Sequence, residues 1–225
     1  MKVKAFCFLI IFFCFQSLHA QFLLEYNGMP YNYSKTENVQ GDPFLFNNWK
    51  MGKVILTNGD EFDNVKLKFD AEQNKFLYNH NDSLYQFTQQ VSKIILYDDL
   101  HAGDTTFNMV FTTKIEGIED VKPGSFIQIL SLGKITLLKY YQKKIEGENK
   151  SDGYSTSVRQ YKLHTNFWLL ANTKIIPAKF ATGFFDEITS DKRSLLKEYI
   201  SANKLNVKNE RDFIIAIKYY NRINR

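Results

Sequence analysis

Apolar and polar residues alternate in short runs from about Phe44 to Pro177, and the period becomes helical after Pro177. The strongest local pattern is Val54-Ile55-Leu56-Thr57, then Asn58-Gly59, then a run from Asp60 to Phe69. Asn-Gly between two apolar-alternating runs predicts a β-hairpin, because both turn residues must adopt positive φ. On the returning strand Val65, Leu67 and Phe69 share one parity and Phe62 has the other, which predicts a bulge near Asp63-Asn64. Further strands are expected at Lys75–Asn79, Leu84–Thr88, Val91–Tyr97 and Thr105–Thr112, the last from the alternation of Phe107, Met109 and Phe111.

Two later hairpins share a plan. Ile127–Ser131 turns at Leu132-Gly133 into Lys134–Tyr140, and Phe167–Ala171 turns at Asn172-Thr173 into Lys174–Ile176. A strand is expected at Val158–Leu163, after a polar loop from Glu146 to Ser157. Beyond Pro177, Leu195, Leu196, Tyr199 and Ile200 recur at helical spacing, and Phe213, Ile214, Ile217 and Tyr220 repeat it. Asn209 with Asp212 three residues on marks the start of the last helix. A shorter helix is expected within Lys179–Ile188. Helices of this size cannot stand alone, so their apolar faces must dock on the sheet or on a partner, the sheet being the commoner outcome. The expected class is α+β: antiparallel meander and hairpins over residues 44–177, then two or three helices over about 179–221.

Composition changes this picture mainly at the N-terminus. Lys2 and Lys4 precede an apolar run from Ala5 to Phe15, and Leu18-His19-Ala20 offers a small residue before Gln21. These are the parts of a cleavable secretory signal. The run is too short to span a bilayer, which takes roughly 20 apolar residues. The expected organisation is a signal over residues 1–20 and one β-rich domain over residues 21–225, with no transmembrane segment once the signal is removed. Both cysteines, Cys7 and Cys14, lie inside the signal. Cys14 lacks the small residues expected before a lipidated cysteine. The mature chain is then free of cysteine, which excludes thiol nucleophiles, thiolate zinc sites and disulfides. Core burial must hold it, as a chain this long can do.

Without Lys2 and Lys4 the formal charge of +5 falls to about +3, with both signs interspersed. No basic stripe or nucleic-acid module is present, so that partner class is set aside. No catalytic, cofactor or metal motif emerges. His80, His101 and His164 show no ligand spacing. His101 has Asp98, Asp99 and Asp104 nearby, which reads more simply as an exposed acidic loop. Asp70-Ala71-Glu72-Gln73-Asn74 lacks the glycine and distal glutamate of a calcium loop and is expected to be a turn. Gly124-Ser125 does not form a nucleophile elbow. The chain is rich in aromatics, with 20 Phe and 13 Tyr. Trp49, Tyr140, Tyr141 and Trp168 are the candidate binding residues, Tyr140-Tyr141 as an exposed pair leading into a loop and the two tryptophans with core packing as the alternative.

Gly41-Asp42-Pro43-Phe44-Leu45, Trp49, Gly52, Val54, Leu56, Asn58-Gly59 and Val65–Asp70 form a recognisable run. So does the ending, Asp191-Lys192, Tyr199-Ile200, Asn203-Lys204-Leu205 and Asp212 to Tyr220-Asn221. Together they resemble a family of uncharacterised exported proteins from Bacteroidota-type bacteria. The resemblance implies a periplasmic, outer-membrane-peripheral or secreted setting, and no activity, cofactor or functional residue. In such a host the Asn-x-Ser triplets at Asn32, Asn81 and Asn149 carry no glycan. The expected function is a non-enzymatic binding or structural module of the cell envelope, with an envelope protein or glycan as partner. The alternatives are a hydrolase with a dispersed site using His101 or His164, and a lipid or glycan carrier with a cavity between sheet and helices.

Overall fold

The hairpin forms where the pattern predicts, but through a three-residue loop, Thr57-Asn58-Gly59, in which Gly59 (φ 96°) and not Asn58 takes positive φ. The strands on either side of it belong to a twelve-stranded sheet. The computed structural model describes residues 28–33, 36–98, 108–147, 159–189 and 192–224. The first strands are β1 (Gly28–Pro30), β2 (Val39–Gln40), β3 (Lys50–Leu56), β4 (Glu61–Asp70), β5 (Lys75–His80) and β6 (Ser83–Phe87). β7 (Val91–Leu96), β8 (Met109–Thr112), β9 (Ile127–Ser131), β10 (Ile135–Glu146), β11 (Arg159–Ala171) and β12 (Lys174–Pro177) follow. The chain ends in α1 (Phe184–Ile188), α2 (Arg193–Ala202) and α3 (Glu210–Ile223). The fold is therefore mostly β, one large and mainly antiparallel sheet followed by three helices.

The strand order is β1-β6-β5-β4-β3-β7-β8-β9-β10-β11-β12. After the first four-strand meander the chain returns so that β7 pairs with β3, and a second meander grows from there. A parallel pairing, the one among the described residues, sets β2 beside the start of β11, Val39 opposite Arg159. On β4, Val65 faces Gly52 while Phe62 faces Val54, so β4 carries one extra residue at Asp63-Asn64. Asn64 takes φ 56° there, the bulge that the change of parity requires. Gly52 sits where β3 is paired on both sides. A Cβ there would lie 2.5 Å from the Ile95 carbonyl oxygen, so only glycine fits.

Two sequence expectations are corrected. β10 does not end at Tyr140 but runs to Glu146, and the strands expected at Val158–Leu163 and Phe167–Ala171 are one continuous strand, β11. Register runs unbroken from Ile135 opposite Ala171 to Glu146 opposite Gln160. Ladder pairing carries the strand through the polar segment His164-Thr165-Asn166, which has no alternation to announce it. The acidic loop around His101 and the first residues of the strand expected at Thr105–Thr112 lie outside the described residues, as does the signal segment.

The sheet rolls until β4 meets β10. Lys143 N–H donates to the Ala71 carbonyl at 3.0 Å. The Lys143 ammonium donates to the carbonyls of Asp42 and Phe44 at 3.0 and 2.6 Å. Asp70, fully buried at the end of β4, organises the turn beyond it. Its carboxylate accepts from the Glu72 and Gln73 N–H groups and from the Tyr31 hydroxyl. The Asp70–Asn74 segment is thus a turn, as expected.

Two large apolar cores result, with a third, small cluster around Ile118, Ile127 and Leu138. Inside the roll, Leu67, Phe69, Phe76, Ile94 and Phe111 pack with Tyr141. On the far end of the same β10 face, Ile135 and Leu137, with Leu169 of β11, receive the helices through Leu196, Phe213, Ile217 and Tyr220. α3 begins as predicted: the Asn209 side chain accepts from Asp212 N–H at 2.9 Å, with Glu210 and Asp212 in the first turn. Lys139 stands between the cores. Its ammonium is 2.7 and 2.8 Å from the two Glu210 carboxylate oxygens and lies over the rings of Tyr141 and Phe167. No helix among the described residues is long and apolar enough to cross a membrane.

Candidate functional site

The four aromatic candidates do not converge. Trp49, half-buried just before β3, lies under the Lys68 ammonium, which also covers Phe44. Tyr140 and Trp168 share one face of the β10–β11 hairpin, edge to face at 6.4 Å, and pack on a small cluster with Leu138 and Ile127. Tyr141, one residue on, points to the opposite face. It is buried and donates to Gln128 Oε1 at 2.5 Å. Strand geometry, in which neighbours face opposite ways, therefore splits the expected pair.

Burial pushes the Tyr141 phenol above its ordinary value of 10.0, and the Glu210 carboxylate adds to the rise. The folded state holds this proton more tightly than the unfolded chain, so Tyr141 contributes stability that is present below pH 10 and lost as pH rises further. From pH 10 to 11 the wild type should lose about 1 kcal/mol more than the Tyr141→Phe variant, because the unfolded phenol is already half ionised at pH 10. Urea unfolding at the two pH values checks this; equal losses would refute it.

The histidines are likewise separate. His80 contacts the Asn81 amide at 3.2 Å and stands edge-on to Tyr85. His164 pairs with Glu146 Oε1 at 2.6 Å on the exposed face of the long hairpin. Lys162 holds the other oxygen of Glu146, and it, followed by His164, lowers that carboxyl below its ordinary value. Neither histidine faces a pair of carboxylates, and His101 lies outside the described residues. No group of three or more His, Cys, Asp or Glu that could hold a metal occurs among the described residues.

What the fold does bring together is a cleft of about 850 Å3 at one mouth of the roll. Its floor is apolar, made of Phe76, Phe87, Val91 and Phe126. Phe126 is placed by a two-way clamp: its N–H donates to Asn74 Oδ1 at 2.6 Å and its carbonyl accepts from Asn74 Nδ2 at 3.1 Å. Its ring then meets Phe76 edge to face at 5.0 Å. The rim is polar and nearly neutral. Gln86, Gln89 and Gln90 supply carboxamides, and Thr57, Thr88 and Thr113 supply hydroxyls. Two hydrogen bonds tie the rim together, Thr57 N–H to the Gln90 carbonyl and the Thr113 hydroxyl to the Val91 carbonyl, both at 2.9 Å. Gln89 Oε1 is buried without a hydrogen-bond partner among the described residues.

No family model, curated protein or solved structure matched the chain. The cleft must therefore be judged on its own chemistry. Amides and hydroxyls over aromatic rings can orient a ligand, and Lys75, Lys114 and Glu116 complete the lining. Sequence reasoning missed these residues. Gln86-Phe87-Thr88-Gln89-Gln90 was the one local signal, and it becomes a site only when the roll brings Phe126 and Thr113 beside it.

Proposed function

We propose that this chain is an exported, non-enzymatic binding module of the bacterial cell envelope, and that it takes its ligand in the mouth of the rolled sheet. The observation that carries the binding role is the cleft: an apolar aromatic floor ringed by neutral hydrogen-bonding side chains, the usual make-up of a small-ligand site. Export rests on residues 1–20, and the envelope setting on the resemblance already described. We class the fold as α+β, since the helices bury their apolar faces against the sheet, on residues of β9, β10, β11 and β12. The space between sheet and helices, where a carrier would keep its cargo, holds Phe213 against Phe180 and Phe185.

Two experiments test the proposal. Expressed in a Gram-negative host, the full chain should be recovered outside the cytoplasm with Gln21 as its first residue; a cytoplasmic product that retains Met1 overturns export. Amide NMR spectra of the purified chain, titrated with a library of small neutral fragments, should shift around residues 86–91 and 123–126. Shifts confined to other surfaces, or conversion of a fragment to product, would overturn the binding role assigned to the cleft.

A further inference from the structure

We infer that the ligand of this cleft is a neutral oligosaccharide, an inference that rests on the binding role proposed above. Three features of the mouth converge on it. The aromatic floor offers the ring faces of Phe87 and Phe126, both half-buried, against which the C–H face of a sugar can lie. Around that floor stand three carboxamides, which can donate and accept, and three threonine hydroxyls, of which Thr113 already donates to the Val91 carbonyl and is left as an acceptor. A sugar hydroxyl also donates and accepts, so a rim carboxamide can serve it in either sense. Charge is the third feature. Lys75, Lys114 and Glu116, all exposed, are the charged residues of a lining that is otherwise neutral. A phosphate or carboxylate ligand would call for clustered cations or a forked guanidinium. A lipid tail would call for apolar walls up to the rim, where glutamine and threonine stand instead.

Gln89 supplies the most specific argument. Its Oε1 is buried without a partner among the described residues, a state that costs the fold free energy. As placed, the oxygen has almost no accessible surface, so it accepts from a ligand hydroxyl or N–H only when the amide turns toward the cleft. The group is then an acceptor that the fold leaves unpaired and the ligand completes. A neutral saccharide several rings long suits the cleft volume, which is near the upper end for a small-ligand site.

The test is calorimetric titration of the purified chain with cellotriose, maltotriose, triacetylchitotriose and, as a peptide control, tri-alanine. At least one trisaccharide should bind, with an affinity unchanged between low and high salt because no ion pair is formed. Gln89→Leu should weaken that binding about tenfold while leaving thermal stability equal or higher, since it removes an unpaired buried oxygen. A purely structural role for Gln89 predicts the opposite, lower stability with binding intact. Phe126→Ala should weaken binding as well; should it fail to fold, Gln86→Leu on the rim gives the same comparison. Binding of tri-alanine alone, with cleft amides shifting, would overturn the saccharide and leave the binding role standing. Saccharide binding untouched by Gln89→Leu and Gln86→Leu would overturn the assignment to this cleft. Absence of binding by every trisaccharide overturns the inference, and the fragment titration then decides whether the cleft binds anything.

Discussion

Replacing Phe213 with alanine should lower the free energy of unfolding by about 3–5 kcal/mol, the range for deleting a fully buried aromatic side chain. Phe213 is 0% exposed and forms the hub of the helix-side core. Phe180 stacks on it at 4.6 Å, Phe185 lies at 5.0 Å and Phe184 at 6.4 Å. Truncation removes the one ring that touches all three, and close-packed neighbours collapse only partly into the space. Phe213→Leu keeps much of the volume and should cost less than half as much. Urea titration followed by circular dichroism measures both. Hydrogen exchange adds a check of place: amides of α2 and α3 should lose protection more than those of β3 and β4, which belong to the other core. A loss below about 1 kcal/mol, under the range for aromatic truncation, would show that the helices do not depend on this stack.

Asn221→Ala is the second large effect, expected at about 3 kcal/mol from buried groups left without partners. The Asn221 side chain reaches from α3 into the turn between β9 and β10. Its oxygen accepts from Ile135 N–H at 2.9 Å, and its nitrogen donates to the Ile135 carbonyl at 2.7 Å and the Ser131 hydroxyl at 3.0 Å. All three residues are buried, so water cannot replace the lost bonds. Gly133 admits this arrangement, because a Cβ there would lie 2.5 Å from Asn221 Cγ. Asn221→Asp should be worse than alanine at neutral pH, since a carboxylate would then face the Ile135 carbonyl. The difference should shrink as acid protonates it and restores a donor. If aspartate proved as stable as the wild type at neutral pH, the donor half of the clamp would carry no weight.

Much of the fold is legible in the residues, and the legible parts have local causes. The Asn58-Gly59 turn, the bulge at Asp63-Asn64 and the Asn209 cap each depend on a few neighbouring residues, and each stands where its pattern puts it. The helices show their buried stripes because one face alone meets the sheet. Expectation failed where partners were distant. The middle of β11 is strand only because β10 pairs with it along its whole length, and the pairings of β7 with β3 and β2 with β11 leave no mark in composition. The cleft is the extreme case. Its glutamines, threonines and phenylalanines are ordinary surface and strand residues singly, and they become neighbours only when the sheet rolls. Tryptophan, tyrosine and histidine stand out singly in the sequence, but their packing and pairing roles spread them over separate parts of the fold.

The join between β4 and β10 has a consequence for the order in which the chain acquires structure. Ala71 must wait for Lys143, and Val39 for Arg159, before the sheet closes on itself. Such long separations slow folding, because loop entropy is lost before the contacts that reward it are made. A chain synthesised from its N-terminus has no β10 to close against until more than half of it has emerged. For a protein exported as proposed here, late closure keeps the polypeptide threadable during passage and defers its final shape to the compartment where it works.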